Sequence, residues 1–214
     1  MNAMTSTIKP LTFPGSLNSF VAQTYRILLL TLAAIAALGL ISYHLFPRTS
    51  LSALGIADSV IWILCGWLGW RRPLRLVLPL FALITGLLLC QLAHWYATVF
   101  LMATVMTLGA FVGLTVYAHL TKHDFSFLRG FLWAAFFILL SSILVVPLAH
   151  SHWVSLGYAA FGTITFLCWI LFDTSQIVHR ADAELTPGIA AFELLLDIIG
   201  LHRWLLDFLI ELDW

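Results

Sequence analysis

Residues 192–211 read Phe-Glu-Leu-Leu-Leu-Asp-Ile-Ile-Gly-Leu-His-Arg-Trp-Leu-Leu-Asp-Phe-Leu-Ile-Glu. On a helix, at 100° per residue, Glu193, Asp197, Gly200, Trp204, Asp207 and Glu211 fall within about 80° of one another. The rest of the stretch is Leu, Ile and Phe, apart from His202 on the opposite side and Arg203 at the edge of the stripe. A helix that is apolar on most sides is surrounded by hydrocarbon or by protein core. Its acids must then face a bundle interior or a watery cavity, because an ionised side chain at mid-bilayer costs about 2.5–3.5 kcal/mol or more. Arg203 precedes Asp207 by four residues, the spacing of a helical ion pair.

The whole chain agrees with this reading. Of 214 residues, 62% are apolar and 9% charged, with ten Lys and Arg against ten Asp and Glu. A soluble domain of this length has to wet its surface and runs at roughly 25% charged residues. The composition therefore excludes a soluble globular domain, a disordered chain and a coiled coil. It points to an all-α polytopic membrane protein. The zero net charge offers no basic stripe for nucleic acid. Cys65, Cys90 and Cys168 sit inside apolar runs and read as small buried hydrophobes.

A membrane helix needs about 20 apolar residues. Seven such runs are expected, at 25–46, 51–70, 74–96, 98–119, 128–149, 153–177 and 188–211. Residues 1–24 then form a polar N-terminus and 25–214 a single transmembrane domain, with no room for a second, soluble one. The N-terminal stretch lacks the apolar run of a secretory signal. With the N-terminus inside, the inner segments hold Lys9, Arg26, Arg71, Arg72, Arg75, Lys122, Arg129 and Arg180, and the outer loops hold Arg48. The positive-inside bias thus places the N-terminus in the cytoplasm and, with seven spans, the C-terminus outside. Gly109, Ala110 and Gly113 are expected to let helices approach closely. His202 reads as a packing or helix-end residue, and His119, His123 and His179 as solvated edge residues with pH sensing as the sharper option.

Two acids match in depth. Asp173 is seven residues before Arg180, and Asp197 ten after Pro187, so both lie roughly 10–15 Å from the hairpin between their helices. Carboxyls that touch cannot both ionise easily, and such a pair shares a proton. Asp58 is a further acid in the second expected span.

Three stretches resemble one family. Leu171-Phe-Asp-Thr-Ser-Gln-Ile-Val-His-Arg180 is similar to the sixth-helix signature of the Bax inhibitor-1, or transmembrane Bax inhibitor motif, family, in its bacterial type. Phe192-Glu-Leu-Leu-Leu-Asp-Ile-Ile-Gly-Leu201 is similar to its seventh-helix motif, and Lys122-His-Asp-Phe-Ser-Phe127 to the loop before its fifth helix. The resemblance implies seven helices with the last one central. It implies a pH-sensitive calcium leak gated by the helix-6 and helix-7 aspartates, Asp173 and Asp197 here, which would hold calcium transiently. It also implies a second-helix acid, near Asp58, and a basic latch residue, for which Arg71 and Arg72 are the nearest candidates. Gly69-Trp70 occupies the expected latch place, and Glu193 and Gly200 depart from the family pattern.

The leading expectation is therefore a calcium or cation leak of the bacterial inner membrane, with Glu193, Asp207 and Glu211 as an acidic lining and no cofactor beyond the transported ion. The alternative is a membrane interaction protein that modulates cell survival or a membrane protease. In that reading the polar N-terminal 23 residues would meet other membrane proteins. A two-aspartate intramembrane protease would need a Gly-x-Gly-Asp context that is absent. A retinal protein would need a seventh-helix lysine, and the lysines are Lys9 and Lys122. No nucleotide loop, zinc spacing or nucleophile triad appears, so no enzyme is expected.

Overall fold

In hydrocarbon a backbone must satisfy its own polar groups, and a helix does so within one segment. The computed structural model describes residues 16–45, 74–121, 123–179 and 185–212, and these form helices joined by short connections. The helices are α1 (Leu17–Leu45), α2 (Leu74–Trp95), α3 (Ala97–Leu120), α4 (Leu128–Ala149), α5 (His152–His179) and α6 (Pro187–Leu212).

The expectation of seven membrane helices is corrected. The described residues form six helices, of which α1 to α5 are long and apolar enough to cross a membrane. The last helix falls outside that class because it carries Glu193, Asp197, Arg203, Asp207 and Glu211. The expected span 51–70 lies outside the described residues, and Asp58, Arg71 and Arg72 lie outside them too.

Helix ends follow local chemistry. α1 begins at Leu17, earlier than the apolar run suggests. Ser16 caps it, accepting from the Ser19 backbone N–H at its side-chain oxygen (3.4 Å), and Phe20 is already buried. Thr186 caps α6, its hydroxyl accepting from the Ile189 N–H at 3.3 Å, and Pro187 fills the first helical position, where no N–H is needed. The α4–α5 turn passes through His150 in the left-handed region (φ 44°).

The last helix is the most enclosed. Buried residues run along it from Ala190 to Leu206, and it packs against α1, α2, α3 and α5. One core cluster joins Phe20, Leu28 and Ile35 of α1 and Phe81 of α2 to Phe192, Leu195 and Ile198 of α6. A second joins Leu92 of α2, Ala103 of α3 and Ile170 of α5 to Leu201, Leu205 and Leu206 of α6. Tyr43 stacks on His94 with centroids 3.9 Å apart, so α1 and α2 end side by side and run in the same direction. The outward faces, such as Leu29 and Leu30 of α1, Leu101 and Val105 of α3 and Phe137 and Leu144 of α4, are exposed and apolar, as a lipid-facing surface requires. Among the described helices α4 rests on α5.

The close approach of helices is not where the fourth expected span suggests. Among the described residues no atom lies within 4 Å of a Cβ placed on Gly109 or Gly113, and both glycines are exposed. Gly39 of α1 and Gly86 of α2 let those two backbones meet, and Gly162 of α5 and Gly200 of α6 admit aromatic rings. The Trp204 ring of α6 fills the place of a Gly162 side chain, and the Phe166 ring of α5 fills that of Gly200. Each helix thus offers a glycine and, four residues later, an aromatic ring, and the two antiparallel pairs interlock reciprocally.

Candidate functional site

The interlock sets α5 against α6 with Asp173 and Asp197 at matching depth. Their carboxyls lie within hydrogen-bonding reach of each other. A carboxylate only accepts, so this bond exists when one partner holds a proton. Asp197 is buried at 6% exposure, and among the described residues its Oδ2 is enclosed with no hydrogen-bond donor. Asp173 is half-buried. Glu193, one turn before Asp197, is half-buried and near enough for its charge to act on both aspartates. Arg129, at the start of α4, is near enough for its charge to act on Asp173 and holds its guanidinium 5.8 Å from the centroid of the Phe172 ring.

Toward the opposite end the stripe continues along α6. Arg203 Nη1 donates to Asp207 Oδ1 at 2.8 Å, the helical pair that the spacing predicts. Glu211 accepts from His152 Nδ1 of α5 at 2.7 Å. Asp207 and Glu211 line a cleft of about 270 Å³ between α4, α5 and α6, together with Ser142, Tyr158 and Trp204. The stripe therefore faces protein and an open cleft.

His202 points the other way, toward α3. Thr104 donates its hydroxyl proton to the Phe100 carbonyl (2.8 Å), so its oxygen accepts from His202 Nε2, 3.0 Å away. This fixes the tautomer and leaves Nδ1 a bare, buried acceptor without a partner. The ring packs edge-on against Phe100. The packing role expected for His202 describes it well, but the cross-helix bond to Thr104 is additional. The Tyr25 hydroxyl of α1 also turns inward, toward Thr115 of α3 and Thr174 of α5. Sequence spacing does not reveal Arg129, Thr104 or Tyr25, because it gives the face of a helix and not its neighbour. Among the described residues no group of three or more His, Cys, Asp or Glu is placed to hold a metal ion.

Over residues 17–214 the sequence matches the family described as "Inhibitor of apoptosis-promoting Bax1". It is 36% identical over 141 residues to the Golgi anti-apoptotic protein of vaccinia virus (strain Lister), covering 65% of this chain and 59% of that one. It is 34% identical over 132 residues to Bax inhibitor 1 of Schizosaccharomyces pombe, covering 61% and 49%. An uncharacterized protein of Campylobacter jejuni is 29% identical over 208 residues, covering 91% and 89%. The chain thus spans about half to three fifths of the length of the viral and yeast relatives. The viral relative is named as an anti-apoptotic protein and the yeast one as a Bax inhibitor.

The expected calcium leak, gated between a sixth and a seventh helix, is corrected by these findings. The described residues hold six helices and no seventh, and the viral relatives are named as anti-apoptotic proteins. This α-helical integral membrane protein belongs to the Bax inhibitor-1 family.

Proposed function

We propose that the chain is a membrane-embedded interaction protein that modulates cell survival or a membrane protease, with no ion flux needed for that task. The observation that carries this reading is the 36% identity, over 141 residues, to a relative named as an anti-apoptotic protein. In this reading the bundle is a scaffold. The Asp173–Asp197 bond and the glycine–aromatic interlock hold α5 and α6 in one arrangement, and other membrane proteins read the polar N-terminal segment. The host membrane is a bacterial inner membrane, as the C. jejuni relative supports, and the N-terminus is cytoplasmic, as the Lys and Arg distribution supports.

The test is photo-crosslinking of the tagged full chain in its native membrane, followed by identification of the captured proteins. A reproducible partner that is lost when residues 1–15 are deleted, while the bundle stays folded, supports the proposal. Equal capture by the intact and the deleted chain would place the reading surface elsewhere. Capture of nothing, together with calcium entry into liposomes holding the purified protein, would overturn the reading.

A further inference from the structure

A threonine inside a helix can satisfy its hydroxyl on the carbonyl one turn back. Thr24, Thr31, Thr104, Thr107, Thr163 and Thr165 all do so, each donating to the carbonyl oxygen four residues earlier at 2.7–3.0 Å. Thr115 of α3 and Thr174 of α5 do not. Their side-chain oxygens are enclosed and, among the described residues, make no hydrogen bond. The Tyr25 hydroxyl of α1 is in the same condition. The three belong together, because Thr115 and Thr174 are the hydroxyls that lie beside the Tyr25 oxygen. Thr174 is fully buried, and Tyr25 and Thr115 are half-buried with their oxygens turned inward.

The surroundings hold this arrangement. The Tyr25 ring lies against the His119 ring of α3, with centroids 5.9 Å apart. His119 is itself held, with Nδ1 2.8 Å from the Thr115 carbonyl oxygen. On its other flank Tyr25 packs on the apolar cluster that contains Phe20, Leu28 and Ile177. Unpaired hydroxyls are costly in such surroundings, and enclosed polar groups are satisfied by protein or by ordered water. A water molecule accepts two hydrogen bonds and donates two, and a buried one typically makes about three.

We infer that Tyr25, Thr115 and Thr174 form a binding site for a single water molecule, which bridges α1, α3 and α5 inside the bundle. The water accepts from the phenol and from one threonine and donates to the other, so all three enclosed oxygens are served at once. It ties α1, the helix that follows the polar N-terminal segment, to the turn of α5 that bears Asp173. The site stands whether or not a partner reads that segment.

Double-mutant cycles on the full chain, read by reversible unfolding in detergent micelles, test this with Tyr25→Phe, Thr115→Val and Thr174→Val. Each change removes one hydroxyl and keeps its shape, and each is expected to lower the folding constant roughly tenfold. A shared water couples all three pairs, Thr115 with Thr174 included, by roughly fivefold. Thr174→Ser keeps a hydroxyl and is expected to keep the coupling of Tyr25 with Thr115. A map of the full chain in lipid, at a resolution where other buried waters appear, should show a water about 2.8 Å from the three oxygens. Direct bonds from Tyr25 to the two threonines would leave Thr115 and Thr174 additive and would overturn the site. So would a map with the three hydroxyls in direct contact or turned onto backbone carbonyls, or single changes that leave the folding constant untouched.

Discussion

Gly200→Ala is the sharpest perturbation of the α5–α6 contact. A Cβ on Gly200 would lie 2.6 Å from Phe166 Cδ1 and Cζ, and closer still to Cε1. Ordinary contact begins near 3.4 Å, so the ring or the helix must move by about 1 Å. Phe166 cannot simply turn away, because it is packed into the cluster with Ile170, Leu201 and Leu205. Overpacking a closed contact typically costs about 1–3 kcal/mol. About 2 kcal/mol is expected here, reduced by the helix-forming advantage of Ala over Gly, roughly 0.5–1 kcal/mol. The net loss is then about 1–1.5 kcal/mol, roughly tenfold in the unfolding equilibrium. Reversible unfolding in mixed micelles of a mild detergent and SDS, followed by tryptophan fluorescence, measures it. Phe166→Leu should relieve part of the loss, so the double mutant cycle should show coupling of about 1 kcal/mol. Gly109→Ala and Gly113→Ala meet nothing within 4 Å among the described residues and serve as controls, neutral or slightly stabilising. A Gly200→Ala protein as stable as its parent, or a loss that Phe166→Leu leaves untouched, would refute the interlock.

Three further outcomes are expected from the same unfolding measurement. Asp197→Asn keeps the bond to Asp173, with an amide as donor, and should change stability by under about 1 kcal/mol, whereas Asp197→Ala abandons a half-buried Asp173 and should cost about 1–3 kcal/mol. Equal losses in the two would show that the pair is not bonded. Thr104→Val removes the acceptor for the buried His202 Nε2–H and should cost about 1–3 kcal/mol, with His202→Leu plus Thr104→Val milder than Thr104→Val alone. His152→Ala breaks the pair with Glu211 at the partly exposed end of the cleft and should cost under about 1 kcal/mol, with an effect that shrinks in high salt.

Much of this arrangement could be read from spacing. The boundaries of α3, α4 and α5 follow the apolar runs within a few residues, since long runs without charges have few alternatives in a bilayer. The Arg203–Asp207 pair that the spacing of the last helix predicts forms. Counting spans fared worse: an apolar run with five charged residues looks like a membrane helix by eye and fails by composition. Contact partners were the least legible. Gly109 and Gly113 have the spacing of a helix-approach motif but are exposed, while Gly162 and Gly200 stand alone in the sequence and meet rings on a neighbour. A motif reports what a helix allows, and the neighbour decides whether it is used. The rings four residues after each glycine, Phe166 and Trp204, were the overlooked clue. Asp58, Arg71 and Arg72 lie outside the described residues.

The central place of the last helix bears on how the chain is made. α1, α2, α3 and α5 all rest on α6, yet α6 is the helix that leaves the ribosome after them. The earlier helices wait in the bilayer around a place still empty, held by pairs that are local in sequence, such as α4 on α5. The interior of the protein is then closed by a late arrival whose acids enter a site the others have already shaped. A ribosome that stops before codon 197 leaves the earlier described helices made but denies α1, α2, α3 and α5 their shared partner. Such a product spans the membrane and lacks a core.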